Sequence, residues 1–202
     1  MIDEGYTKFQ CEWIEGPAPQ HPDLDALLNT RNLLFKRGWI GYDSLHKVGF
    51  GNVSLRTSEQ RIFISGTQTG HHTWLTAAHL CEVLAARPEQ NHVKCLGPLP
   101  ASSETMTHMT LYDLHPTIKA VLHIHEQTMW KMGLSQLPQT GGRVPYGTPE
   151  MANEIRRVYN DQAWQDQGLL VMAGHEDGIL AFGPDLATAT RLLLDWENQS
   201  VE

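Results

Sequence analysis

The stretch AVLHIHE (Ala120–Glu126) restricts the fold of this chain more than any other. Apolar and ionisable residues alternate in it, which is the period of a strand with two different faces. Residues two apart on a strand share a face and sit roughly 6.6 Å apart. His123 and His125 therefore project side by side, while Leu122 and Ile124 point to the opposite face, into the core. Two parallel imidazoles can converge on one ion at about 2.0–2.1 Å from each nitrogen. A pair of satisfied histidines on a partly exposed strand would give the same pattern, so the tripeptide alone leaves both readings open.

The rest of the chain alternates between two periods. Asp23 is placed to cap a helix over LDALLNTRNLLFKRG, with Leu24, Leu27, Leu28 and Leu34 near helical spacing and Gly38 as its stop. VGFGNVSLRT and RIFISGTQTG read as short strands broken by glycine-rich turns. TWLTAAHLCEVLAAR returns to helical spacing, with Thr73 or Thr76 as cap. SSETMTHMTLYDLHP reads as a helix capped by Ser102 or Ser103 and stopped before Pro116. A strand over IKAVLHIH, a helix over TPEMANEIRRVYNDQ, a strand pair in GLLVMAGHEDGILAFG and a helix over DLATATRLLLDWENQ complete the order. Such interleaving predicts an α/β class built around one sheet. Residues 1–22, ending in the proline-rich EGPAPQHPD, read as a segment apart, a tail or an arm on a neighbouring subunit, with the domain proper over 23–202.

Composition narrows the partners. The formal net charge of -8 opposes non-specific binding to nucleic acid or anionic membrane. A small anion remains admissible, because backbone N–H groups and hydroxyls can hold a phosphate. Cys11, Cys81 and Cys95 are odd in number and match no zinc ribbon or CxxC spacing, so reduced thiols and a cytoplasmic location are expected. The polar, acidic start is not that of a signal peptide, and no apolar run approaches the ~20 residues that span a bilayer.

Just upstream of the histidine strand stands SSE (Ser102 to Glu104). Helix capping accounts for these residue types, since a carboxylate in a first turn gains about 0.3–1 kcal/mol from the dipole. The same carboxylate could equally lie over the histidine face and act as a general acid or base.

GNVS (Gly51 to Ser54), ISGTQTG (Ile64 to Gly70), SSE, HIH and GHEDGILAFG (Gly174 to Gly183), in that order, resemble the class II aldolase/adducin family, which includes fuculose phosphate aldolases and ribulose phosphate epimerases. The resemblance runs from about Asp23 to about Asp195 and implies a three-layer α/β/α domain with a largely antiparallel central sheet. It implies Zn²⁺ bound by His123, His125 and His175, with Glu104 as the catalytic acid/base. It implies a phosphate site formed by Asn52, by Ser65 and Gly66 or Thr69 and Gly70, and by Ser102 with Ser103. The implied activity is a zinc-dependent aldolase-type cleavage of a small phosphorylated ketose through a metal-bound enediolate, in a homotetramer. Three neutral histidines suit that chemistry, because they leave the ion open positions and most of its charge. A sugar phosphate epimerase or dehydratase would use the same site, and an adducin-like binding module would keep the fold without the metal.

The chain also departs from the family. The stretch after HIH is short, and Tyr146 lies nearer the next helix than the aldolases' tyrosine does, so it reads as a turn residue packed on the core. Few residues follow the last expected helix in this sequence, so a tail that closes the site is not expected. HEDGI is two residues longer than the usual HG turn, which places Glu176 and Asp177 in an exposed turn. His108, one turn after Glu104, is positioned to orient it by a hydrogen bond; His71 and His72 read as solvent-exposed and His115 as a helix end.

Overall fold

The computed structural model describes residues 7–160 and 168–200. Ten strands and five α-helices follow one another among them: β1 (Gln10–Glu15), α1 (Leu24–Lys36), β2 (Gly41–Asp43), β3 (Val48–Phe50), β4 (Asn52–Arg56), β5 (Ile62–Ser65), β6 (Leu80–Arg87), β7 (His92–Gly97), α2 (Thr105–Leu114), β8 (Ala120–His125), α3 (Gln127–Gln136), α4 (Pro149–Asn160), β9 (Leu169–Val171), β10 (Gly178–Gly183) and α5 (Leu186–Ser200). Eight strands make one sheet in the order β1-β7-β6-β5-β4-β8-β10-β9, and β2 and β3 form a separate hairpin. Among the described residues, β1 pairs with β7 in parallel and every other pairing in the large sheet is antiparallel.

Strand alternation sorts the core into two layers. On one face Val53, Leu55, Leu122, Ile124, Ile179 and Ala181 pack against Leu27 and Leu34 of α1, Met129 of α3 and Leu193 and Trp196 of α5. On the other, Val121, Leu180 and Phe182 pack against Met106 and Leu111 of α2 and Met151, Ile155 and Val158 of α4. The result is the expected three-layer α/β/α arrangement around a largely antiparallel sheet. His123 and His125 share parity with Val121, so they rise on the α2/α4 face, as does Asn52, the register partner of His123.

Three elements differ from the sequence reading. The helix expected over TWLTAAHLCEVLAAR is a single 3-10 turn at Ala77–His79 followed by β6. Pairing to β5 over Leu80–Val83 and to β7 from Glu82 to Arg87 buries Cys81 and Val83, which outweighs the modest helix preference of its alanines and leucines. Residues 10–15 form the edge strand of the chain's own sheet, through six register pairs with β7. α3, in the stretch after HIH, had no counterpart in the sequence reading; Glu126 caps it by accepting from the Met129 N–H at 2.5 Å. The helix over TPEMANEIRRVYNDQ is present as α4, and its last two expected residues, Asp161 and Gln162, lie outside the described ones.

Candidate active site

β8, the turn before β10 and the entry to α2 bring their polar residues to one point. His123 and His125 project from the end of β8. His175 follows β9 in a tight turn whose closure is set by backbone bonds between Met172 and His175 and between His175 and Gly178. The Nε2 atom of His125 lies 3.1 Å from Nε2 of His123 and 3.1 Å from Nε2 of His175. Two ligands on one tetrahedral ion at about 2.0–2.1 Å are themselves about 3.4 Å apart, so this spacing fits a shared cation. His123 Nδ1 donates to the Ile179 carbonyl at 3.3 Å, which fixes the tautomer and leaves its Nε2 lone pair facing the other two rings. Burial pushes all three imidazoles below their ordinary range, and so keeps them in the neutral form that a metal needs.

Glu104 stands over this group, with Oε1 3.9 Å from His175 Nε2. It is 2% exposed, and neither carboxylate oxygen has a hydrogen-bond partner among the described residues. Burial pushes its pKa up to about 7, against smaller opposing effects of Thr107 and Lys8. The residue is the N-cap of α2 by position, yet its side chain caps nothing. The serines expected as caps do not cap either: the nearest approach is the Glu104 N–H to Ser102 Oγ at 3.5 Å. Capping therefore does not explain SSE, and all three residues line a cavity of about 250 Å³.

That cavity collects most of the residues expected at a phosphate site, namely Asn52, Gly66, Thr69, Gly70, Ser102 and Ser103, beside Glu104, His123, His175 and Tyr146. Asn52 Oδ1 is buried there without a partner among the described residues. Ser65 is the exception. It lies outside the cavity: its hydroxyl accepts the Val53 N–H of β4 at 3.2 Å while its backbone pairs with Leu80 of β6. Thr69 donates its own hydroxyl to the Gly66 carbonyl at 2.9 Å, so it shapes the loop. Thr67, Gln68, Lys47, Tyr42 and His71 also line the cavity, and nothing in their local pattern marked them beyond their place beside the glycine turns. Gly70 sits where a Cβ would come 2.1 Å from the Gly41 carbonyl oxygen, so the β2–β3 hairpin lies directly on this loop.

His108 does not orient Glu104 by a hydrogen bond. Its Nδ1 is 2.7 Å from Ser54 Oγ, which is also 2.7 Å from the Tyr112 hydroxyl, and all three are buried. The serine of GNVS thus ties β4 to α2 beneath the site. His71 is exposed but faces the cavity; His72 is half-buried, its ring centroid 3.9 Å from that of His71. His115 ends α2. Glu176 and Asp177 form a turn beside the histidines, with Asp177 in the left-handed region at φ 65°.

The family model described as Class II Aldolase and Adducin N-terminal domain matches residues 26–199. The fold is similar to that of L-fuculose-1-phosphate aldolase from Thermus thermophilus, with TM-score 0.63 and 20% identity, over 87% of this chain and 89% of that one. It is also similar to a sugar-phosphate aldolase from Thermotoga maritima, with TM-score 0.64 and 15% identity, over 88% and 91%, and to an aldolase II superfamily protein from Pseudomonas syringae, with TM-score 0.58 and 14% identity, over 90% and 75%.

Proposed function

This chain belongs to the class II aldolase and adducin family, and from that premise we propose that it is a zinc-dependent aldolase-type lyase acting on a small phosphorylated ketose. The observation that carries the reading is the convergence of three neutral Nε2 atoms beneath a buried carboxylate that has no hydrogen-bond partner among the described residues. His123, His125 and His175 would hold the ion, which when bound supplies a Lewis acid for the carbonyl and hydroxyl oxygens of the ketose. Asn52, the Gly66–Gly70 loop, Ser102 and Ser103 would take the phosphate with neutral donors. Their placement would decide which carbons of the substrate lie beneath Glu104. Glu104 would hold or release the proton that cleavage requires, and a pKa of about 7 makes both states accessible at neutral pH. Buried Tyr146 lines the same cavity beside that carboxylate. Family resemblance further supports a cytoplasmic homotetramer. Among the described residues no helix is long and apolar enough to cross a membrane.

Metal content per chain, measured on untagged wild type, His123→Ala and His175→Ala, tests the reading together with a screen of phosphorylated ketoses for aldehyde release. About one divalent ion per chain, lost in both variants, with aldehyde release by wild type is expected. A chain that takes up no zinc, or a zinc-loaded chain that releases no aldehyde, would refute it.

A further inference from the structure

The N-terminal segment reaches the active site. β1 lies outside the residues matched by the family model, yet the residue two positions before it sits against the cavity wall. The Lys8 ammonium lies over the Tyr146 ring, 3.8 Å from its centroid. That ring is 4% exposed, lines the cavity, and is stacked at a tilt on His175 with centroids 4.6 Å apart. Lys8, Tyr146 and His175 therefore form one continuous contact from the N-terminal segment to a candidate metal ligand.

The placement of Lys8 is built rather than incidental. The Asn91 side-chain amide donates to the Lys8 carbonyl at 2.9 Å, and the Asn91 carbonyl accepts the Gln10 N–H at 2.8 Å. Asn91 can grip the segment with both groups because it occupies the left-handed region at φ 49° in the turn before β7, a conformation that asparagine tolerates well. Phe9 is buried in the core on one side of this grip, and β1 pairs along β7 on the other. Lysine at position 8 is thus held by its backbone, with its side chain directed at an aromatic face, where a cation is attracted by the ring quadrupole. Its charge is felt at both Glu104 and His175.

We propose that Lys8 is a positioning residue of this site: its ammonium holds the Tyr146 ring against His175, so that an N-terminal segment outside the family's matched region completes the active centre. The inference rests on the metal-site reading above, and its test separates the two. Lys8→Met and Lys8→Arg are made in the full chain, each is loaded with Co²⁺, and the visible d–d spectrum is recorded beside kcat and KM for the ketose cleaved by wild type. Lys8→Met should shift the cobalt bands and lower kcat about tenfold with KM little changed, and Lys8→Arg should restore both. Wild-type spectra and kcat in Lys8→Met overturn the proposal. Equal loss in both variants also overturns it, because the cation would then be irrelevant. A cobalt shift in Lys8→Met, absent in Lys8→Arg, upholds it even if wild type cleaves no ketose, an outcome that refutes the lyase reading alone. Failure of wild type to bind Co²⁺ overturns the metal site and the positioning role together.

Discussion

Replacing Glu104 by glutamine should stabilise the metal-free protein at alkaline pH while removing its activity. The carboxyl is buried without a hydrogen-bond partner among the described residues, and burial raises its pKa from 4.5 to about 7. A group whose pKa is raised on folding adds stability that is full below the unfolded value and is lost as pH climbs through the folded one. At about 1.4 kcal/mol per tenfold change in proton affinity, the whole effect is about 3 kcal/mol, most of which is lost between pH 5 and pH 8. The buried histidines act in the opposite sense. Their lowered pKa values cost stability as pH falls, so the wild-type curve alone would mix the two effects. Glu104→Gln leaves the histidines in place, and the difference between the two proteins isolates the carboxyl. Urea unfolding of both, stripped of metal, at a series of pH values from about 5 to 8 reads that difference directly. Wild type should lose about 2–3 kcal/mol relative to the variant across that interval. Adding Zn²⁺ should shrink the gap, since a nearby cation favours the carboxylate. Parallel curves in the metal-free state would show that Glu104 is not desolvated as described.

The polar ties behind the site give further expectations. Ser54→Ala deletes the hydroxyl shared by His108 and Tyr112 and leaves two buried groups unpaired, which should cost about 2–4 kcal/mol in urea unfolding; a loss below about 0.5 would contradict the network. Arg31 is 1% exposed and donates to the carbonyls of Thr69, His72 and Thr73 at 3.0, 2.6 and 3.3 Å. Arg31→Met should therefore loosen the loop that lines the cavity, raise KM about tenfold and speed amide exchange over residues 66–73, and unchanged exchange there would count against it.

The histidine strand was legible because strand alternation is strict. Once Leu122 and Ile124 are assigned to the core, His123 and His125 can face only the other way. Asn52, Glu104 and His175 were expected only from the family resemblance of their motifs, and the pairing of Asn52 with His123 across β4 and β8 came from the structure. What escaped reading depended on partners distant in the chain. β6 carries alanines and leucines that suit either period, and only two flanking strands decide for extension. Ser65 and Thr69 stand among glycines that suggested ligand contact, yet their hydroxyls serve the Val53 N–H and the Gly66 carbonyl. His108 is one helical turn from Glu104, and a serine 54 positions away claims it instead. Local spacing places a side chain on a face; it does not say which neighbour reaches it first.

The parallel pairing of β1 with β7 has a consequence for the order of assembly. Gln10 pairs with His92, 82 positions later, whereas β4, β5, β6 and β7 join in simple succession. Closing that distance costs loop entropy before any contact repays it, so the meander forms first and the N-terminal strand docks afterwards. On a ribosome adding about 5–20 residues each second, β1 emerges at least about 4 s before its partner strand. During that interval its Trp13 and Ile14 lie on an unpaired edge, and pulse-labelled amide exchange should register protection in β5 and β6 before β1. Catalytic competence, if it needs Lys8 in place, is then among the last properties the nascent chain acquires.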